Sequence, residues 1–255
     1  MLRTGIDWTR HQVSPSIINT AGTIAEIFES SFANGRTADE FAAHLQYEWS
    51  PNKRLQISPG IRISSAVVPN ETYLFQEPRL SVRYAMNENE ALKLSYSRMA
   101  QYMHRISNSA VSSPTDVWYP VTDSIRPQTS HQVALAWQRQ LDKTGFFFSV
   151  EGYYKQMNQL IGYEEGTNLF LNTDFESKLI QGKGKAYGAE LLVRKNTGKL
   201  TGWISYTLSW SYRQFDEINA GMRFPSRYDR RHNGAIVAQY AFNKRWAASF
   251  VWEYI

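Results

Sequence analysis

Five histidines, His11, His44, His104, His131 and His232, are the side chains of this 255-residue chain best suited to acid–base or metal chemistry near neutral pH. They fall in five separate segments, and no two have the spacing of an HExxH zinc site. Glu164-Glu165 and Asp216-Glu217 are adjacent carboxylates, but neighbours in extended chain diverge, so solvated loop charge suits them better than a shared-proton dyad. Ser205, Ser209 and Ser211 lack a GxSxG elbow, and neither a P-loop nor a GxGxxG turn occurs. No catalytic residue, metal site or cofactor is therefore expected. What remains is non-covalent chemistry. Trp118-Tyr119-Pro120 lies close to Asp116, Asp123 and Arg126, and the run from Arg223 through Arg227 and Tyr228 to Arg231 repeats the mixture of rings and guanidinium groups. Trp118, Tyr119, Arg126, Arg223, Arg227 and Tyr228 are the candidate ligand-binding residues, with arginines for an anion and rings for stacking. The competing role is structural: such residues also hold loops in shape.

The elements that carry these residues show a period of two. Phe41, Ala43, Leu45, Tyr47 and Trp49 alternate with Ala42, His44, Gln46 and Glu48, which in a strand places the two sets on opposite faces. The same alternation marks Leu2–Thr9, Leu55–Ile63, Arg79–Tyr84, Leu92–Ser97, Gln132–Gln138, Phe146–Glu151, Tyr187–Arg194, Leu200–Arg213, Arg231–Ala241 and Trp246–Tyr254. Eleven strands are predicted. The one helical candidate, Thr23–Ser30, sits inside a loop.

Connections alternate short and long. Ser50–Lys53, Asn87–Glu90, Leu141–Thr144, Asn196–Lys199 and Phe242–Lys244 are short and rich in turn residues. Val13–Arg36, Ser65–Gln76, Met99–Thr129, Met157–Gly182 and Gln214–Arg230 are long. Tight turns at one end and long loops at the other, on strands of about ten to fourteen residues, describe an antiparallel up-and-down barrel crossing an outer membrane. Trp and Tyr near the strand ends suit headgroup level. Outer-membrane lipid is then the first partner. The polar-face residues Arg62, Arg79, Arg83, Glu190 and Arg194 are expected to face the lumen, since charge on the lipid face costs about 2–4 kcal/mol at midplane. A net charge of +5 with scattered positives gives no nucleic-acid signature, and zero cysteines exclude disulfides and thiolate metal sites.

Several short pieces resemble TonB-dependent outer-membrane receptors of the Bacteroidota type: Gly60-Ile61-Arg62, Glu77–Tyr84, Leu92–Met99 with Gln101–His104, Ser130–Gln132, Glu151–Lys155, Tyr187–Glu190, Gly202–Thr207 and Tyr228–His232. Their order and spacing span nearly the whole chain. The resemblance implies a 22-stranded all-β transmembrane barrel in the cell outer membrane, a plug domain inside it, and uptake of a scarce or bulky ligand driven by the TonB complex. Siderophore, cobalamin, glycan and peptide are the ligand classes it implies, and the lumen-facing arginines and Glu190 become plug-facing.

Residues 1–255 then correspond to part of the C-terminal barrel domain, about eleven of 22 strands, with plug domain, signal peptide and closing strands expected to lie outside it. Two alternatives differ in class. An outer-membrane barrel hydrolase requires a clustered acid–base pair at the rim. A soluble, aromatic-rich carbohydrate-binding β protein requires the apolar face to be buried.

Overall fold

A computed structural model describes residues 1–13, 36–106, 117–163 and 175–255. The strands are β1 (Leu2–Val13), β2 (Arg36–Tyr47), β3 (Leu55–Val68), β4 (Glu71–Ala85), β5 (Glu90–Gln101), β6 (Met103–Ile106), β7 (Val117–Pro120), β8 (Gln128–Leu141), β9 (Phe146–Tyr163), β10 (Leu179–Lys195), β11 (Leu200–Gln214), β12 (Phe224–Pro225), β13 (His232–Ala241) and β14 (Ala247–Tyr254). Eleven of them form one antiparallel sheet in the order β1-β2-β3-β4-β5-β8-β9-β10-β11-β13-β14, so sequence neighbours are spatial neighbours throughout. Short β12 flanks β11, while β6 and β7 form a separate hairpin. Helical turns among the described residues are short 3-10 pieces at Phe175–Lys178 and Asn219–Gly221. Thr23–Ser30, Glu164-Glu165 and Asp116 lie outside the described residues.

The expected faces are observed. Ile6 stands opposite Ala43, which stands opposite Ile63, and Val82 stands between Ile57 and Leu94. Across the other half, Val133, Tyr154, Tyr187 and Trp210 make one row. This apolar face is open among the described residues: Ile6 is 87% exposed, Leu135 54% and Phe250 56%. An apolar sheet face left open fits lipid contact and contradicts the soluble alternative, which needs it buried.

The short turns close themselves. Asn52 Oδ1 accepts from the backbone N–H groups of Arg54 and Leu55, Asn87 Oδ1 from Asn89, and Asn243 Oδ1 from Arg245 and Trp246. Gly145, at φ +71°, turns the chain between β8 and β9, and a Cβ there would collide with the Thr197 hydroxyl.

One connection departs from expectation. Ser65–Gln76 is not a long loop: β3 runs to Val68, β4 begins at Glu71, and Pro69-Asn70 turns between them. The cause is a change in what covers the polar face. Ala38, Ala66 and Val68 pack with Tyr102 and Val121, and Tyr73 and Phe75 join them, so the polar face becomes apolar there and the alternation fades. Strand lengths likewise reach 18 residues in β9 and 17 in β10, beyond the predicted range.

Candidate functional site

Where β1–β4 approach the long-connection end, their polar face carries a bonded network. Arg62 donates from Nη1 to Glu77 Oε1 at 2.8 Å and from Nη2 to Glu40 Oε1 at 2.9 Å. Glu77, only 3% exposed, also accepts from the Ser64 hydroxyl, which shares a 2.7 Å hydrogen bond with the Tyr102 hydroxyl. His11 lies 3.4 Å from the other oxygen of Glu40. A carboxylate this enclosed is tolerable because a guanidinium and a hydroxyl satisfy it.

Beyond Tyr102 the chain enters the β6–β7 hairpin, which pairs Met103 with Pro120, His104 with Tyr119, and Arg105 with Trp118. Tyr119 is 1% exposed and packs with Ile125, Ile161, Tyr163 and Leu179. Its hydroxyl donates to Glu176 and accepts from Arg36 Nε at 3.2 Å. Arg36 Nη2 reaches Glu176 at 2.9 Å, and the Thr122 hydroxyl donates to the second Glu176 oxygen at 2.6 Å. Burial, and then the Glu176 carboxylate beside it, push the Tyr119 hydroxyl well above its ordinary pKa. One carboxylate thus joins the start of β2, the hairpin and the turn before β10. His104 is fully buried, and the Gln128 side-chain amide donates to its Nδ1 at 3.0 Å. Its Nε2 has no hydrogen-bond partner among the described residues, and burial lowers its pKa to about 4.

A hollow of about 400 Å³ opens beside this network, lined by Glu71, Tyr73, Phe75, Arg98, Asp123 and Arg126 among others. The Arg98 guanidinium lies 5.9 Å from the Phe75 ring centre, and its Nε is buried without a hydrogen-bond partner among the described residues. Asp123 is engaged by the Asn70 amide at 3.1 Å. The exposed Arg126 is fixed through its backbone, which exchanges hydrogen bonds with the Gln181 side chain.

The structure separates the six candidate ligand-binding residues. Trp118 is 52% exposed whereas Tyr119, its neighbour, is buried in the Glu176 junction. Arg126 lines the hollow. Tyr228 is exposed and accepts a 3.0 Å hydrogen bond from Arg105, the residue opposite Trp118, so the two loop segments meet. Arg227 is exposed beside it. Arg223 lies elsewhere, stacked 4.4 Å from the Tyr212 ring on the apolar side of the sheet. Arg79 and Arg83 share the polar face with Arg62; Arg83 stands directly opposite Lys93. Glu190 stands opposite Glu151, and Arg194 stacks 5.1 Å from the Phe147 ring. Arg36, Arg98, Arg105 and Glu176 were not singled out by sequence. Each acts through a partner distant in the chain, which spacing does not reveal.

The histidines do not converge. Glu40, Asp7, Gln128, Tyr96 and Tyr206 are their respective partners, and among the described residues no three metal-binding side chains cluster.

A protein-family model described as TonB dependent receptor-like, beta-barrel, matches residues 1–254. The chain belongs to this family. Solved structures agree in fold. The FrpB iron transporter of Neisseria meningitidis (F3-3 variant) superposes with a TM-score of 0.65 at 9% identity, over 99% of this chain and 39% of its own. The ferric-catecholate import receptor Fiu of E. coli K12 gives 0.61 at 12% identity, over 84% and 34%. The ferripyoverdine receptor of the Pseudomonas aeruginosa outer membrane gives 0.58 at 11%, over 88% and 33%. No curated protein matches in sequence. The chain spans between a third and two-fifths of the length of these three receptors. As a TonB-dependent receptor barrel it is an outer-membrane protein, and its open apolar face is the lipid-facing surface.

Proposed function

We propose that this chain forms wall and outer mouth of a receptor that imports a scarce or bulky ligand by TonB-driven uptake, with a plug domain held against the polar face. The observation that carries this is the hollow at the long-connection end, where Arg98 and Arg126 meet Tyr73 and Phe75 and one guanidinium nitrogen is left unsatisfied. Such a site suits an anionic ligand with rings or flat chelating groups. Trp118 and Tyr228 add two exposed rings on segments joined by Arg105. A ferric chelate is the class to test first, because three similar folds are named for iron or ferric-chelate uptake. Cobalamin, glycan and peptide follow.

Two further features support the plug. Arg83 faces Lys93, and Glu151 faces Glu190, and none of the four has an ion pair among the described residues. Like charges directly opposite destabilise a sheet unless something of opposite sign docks on them. Basic wall on β4–β5 and acidic wall on β9–β10 would each take complementary plug charges. Arg62, in contrast, is already neutralised within the wall.

The test is growth of cells lacking the encoding gene on ferric chelates as sole iron source, complemented by wild-type receptor or by Arg98→Ala/Arg126→Ala. Loss of growth on one chelate with normal receptor level in the outer membrane is expected. Equal growth of deletion strain and wild type on ferric chelates, cobalamin, glycans and peptides alike would overturn the proposal.

A further inference from the structure

On the apolar face, the row Val133–Tyr154–Tyr187–Trp210 is followed toward the long-connection end by Gln156–Lys185–Tyr212, and then by Lys183 opposite Gln214. Lys183 and Lys185 therefore continue the lipid-facing columns of Tyr187, Ala189, Leu191 and Val193. Both are exposed. Arg223 joins them by stacking on Tyr212. Together with Gln156, Gln214 and Met222 these cations line a concavity of about 570 Å³ that contains no carboxylate.

The height of this patch follows from strand geometry. Lys195, at the short-turn end of β10, and Lys185 are ten residues apart. At about 3.3 Å per residue and a tilt of about 40° that is about 25 Å of height, the usual thickness of the apolar band. Tyr154, Tyr187 and Trp210 then lie at its upper margin, where rings sit at headgroup level. Lys185 and Lys183 lie just beyond it. A cation here is neither in hydrocarbon nor free in bulk water.

A second aromatic pair on the apolar face shows the contrast. On β1 and β2 the stacked pair Trp8–Phe41 is followed by Arg10, whose charge is met by Asp39 at 3.0 Å. Arg231, which stacks on Trp210, is likewise paired with Asp229. Lys183, Lys185 and Arg223 have no such partner among the described residues.

We propose that Lys183, Lys185 and Arg223 form a binding site for the phosphate groups of a phosphorylated outer-leaflet lipid. Arg223, held on the Tyr212 ring, presents its donors in a fixed plane, and the two lysines supply point charge. The acyl chains would lie along the exposed apolar columns below, so headgroup and tail are recognised by adjoining parts of β9, β10 and β11.

The test places the full chain in phosphatidylcholine nanodiscs containing a glucosamine-disaccharide bisphosphate lipid, or the same lipid with both phosphates removed. Lipid retained after detergent extraction is counted by native mass spectrometry. Wild type is expected to retain the phosphorylated lipid and not its dephosphorylated form. Lys183→Gln/Lys185→Gln should lower retention about thirtyfold, as expected for two lost cations at an anionic headgroup surface, whereas Lys183→Arg/Lys185→Arg should keep it. Equal retention of the two lipids, or undiminished retention by the glutamine variant, would overturn the proposal. So would displacement of the lipid by millimolar inorganic phosphate, which would mark a site for soluble anions. The comparison of the two lipids needs only the wild-type chain, so it decides the matter even if the glutamine variant fails to assemble.

Discussion

Arg105 donates from Nη2 to the Tyr228 hydroxyl at 3.0 Å, joining residues 123 positions apart. The bond ties the β6–β7 hairpin to the connection between β11 and β13, and so brings the two aromatic-and-arginine segments of the sequence onto one surface.

Removing that hydroxyl should loosen the hairpin without disturbing the wall. Tyr228→Phe is expected to cost about 0.5–1.5 kcal/mol locally. Amide hydrogen exchange should rise in Met103–Ile106 and remain unchanged in β9 and β10. Unaltered exchange in the hairpin would mean that the bond contributes nothing to its position.

Glu77 gives a larger effect. Its carboxylate is the shared acceptor for Arg62 and Ser64 in an almost closed setting. Glu77→Ala should destabilise by about 1–3 kcal/mol, because it leaves donors of Arg62 and Ser64 unsatisfied while Arg62 keeps Glu40 as its ionic partner. Replacing both partners, with Arg62→Met and Glu77→Leu, should recover most of the loss. Heat-modifiable gel mobility of the folded barrel reads both.

His104 makes the hairpin sensitive to acid. Its ordinary pKa of 6.5 falls to about 4 in the folded state, so between those values the unfolded segment binds more protons than the folded one. Stability is therefore complete above about pH 6.5 and declines as pH falls toward 4. Hydrogen exchange of β6 and β7 should accelerate across that window. His104→Leu should flatten the dependence; an equally steep profile in this variant would assign it to other groups.

Glu190 faces Glu151 across β9 and β10. Glu190→Lys converts repulsion into attraction and, for the wall by itself, is worth about 0.2–1 kcal/mol. If a plug cation docks there, the same substitution lowers plug retention, measured as increased protease access to the lumen. A stabilised wall with unchanged lumen access would remove the acidic pair from the plug interface.

The strands were legible because lipid on one side and polar surroundings on the other impose a period of two that needs no knowledge of tertiary contacts. That signal failed where the surroundings changed. Ser64 and Ser65 end the visible alternation, yet β3 continues, because Ala66 and Val68 meet Tyr102 and Val121 instead of water. The hairpin was hidden for another reason: four residues per strand give too few alternations to register. Trp118 and Tyr119 look equivalent in sequence, but neighbours on a strand point opposite ways, which leaves one ring exposed and places the other at the Glu176 junction. Glu176 carried no sequence signal at all. Its importance comes from Arg36, Tyr119 and Thr122 arriving from three parts of the chain.

The asparagines at the short turns bear on how such a sheet comes into being. Asn52, Asn87 and Asn243 each satisfy backbone donors two or three residues ahead, within the turn itself. Each of these hairpins therefore carries its own instruction for which residue faces which, available as soon as a dozen or so residues on either side have been delivered. Register need not await closure of the sheet. A pair of strands arriving with its tip already folded can join the growing edge as a unit, and an error of one residue, which would turn every lipid-facing ring inward, is resisted at the tip.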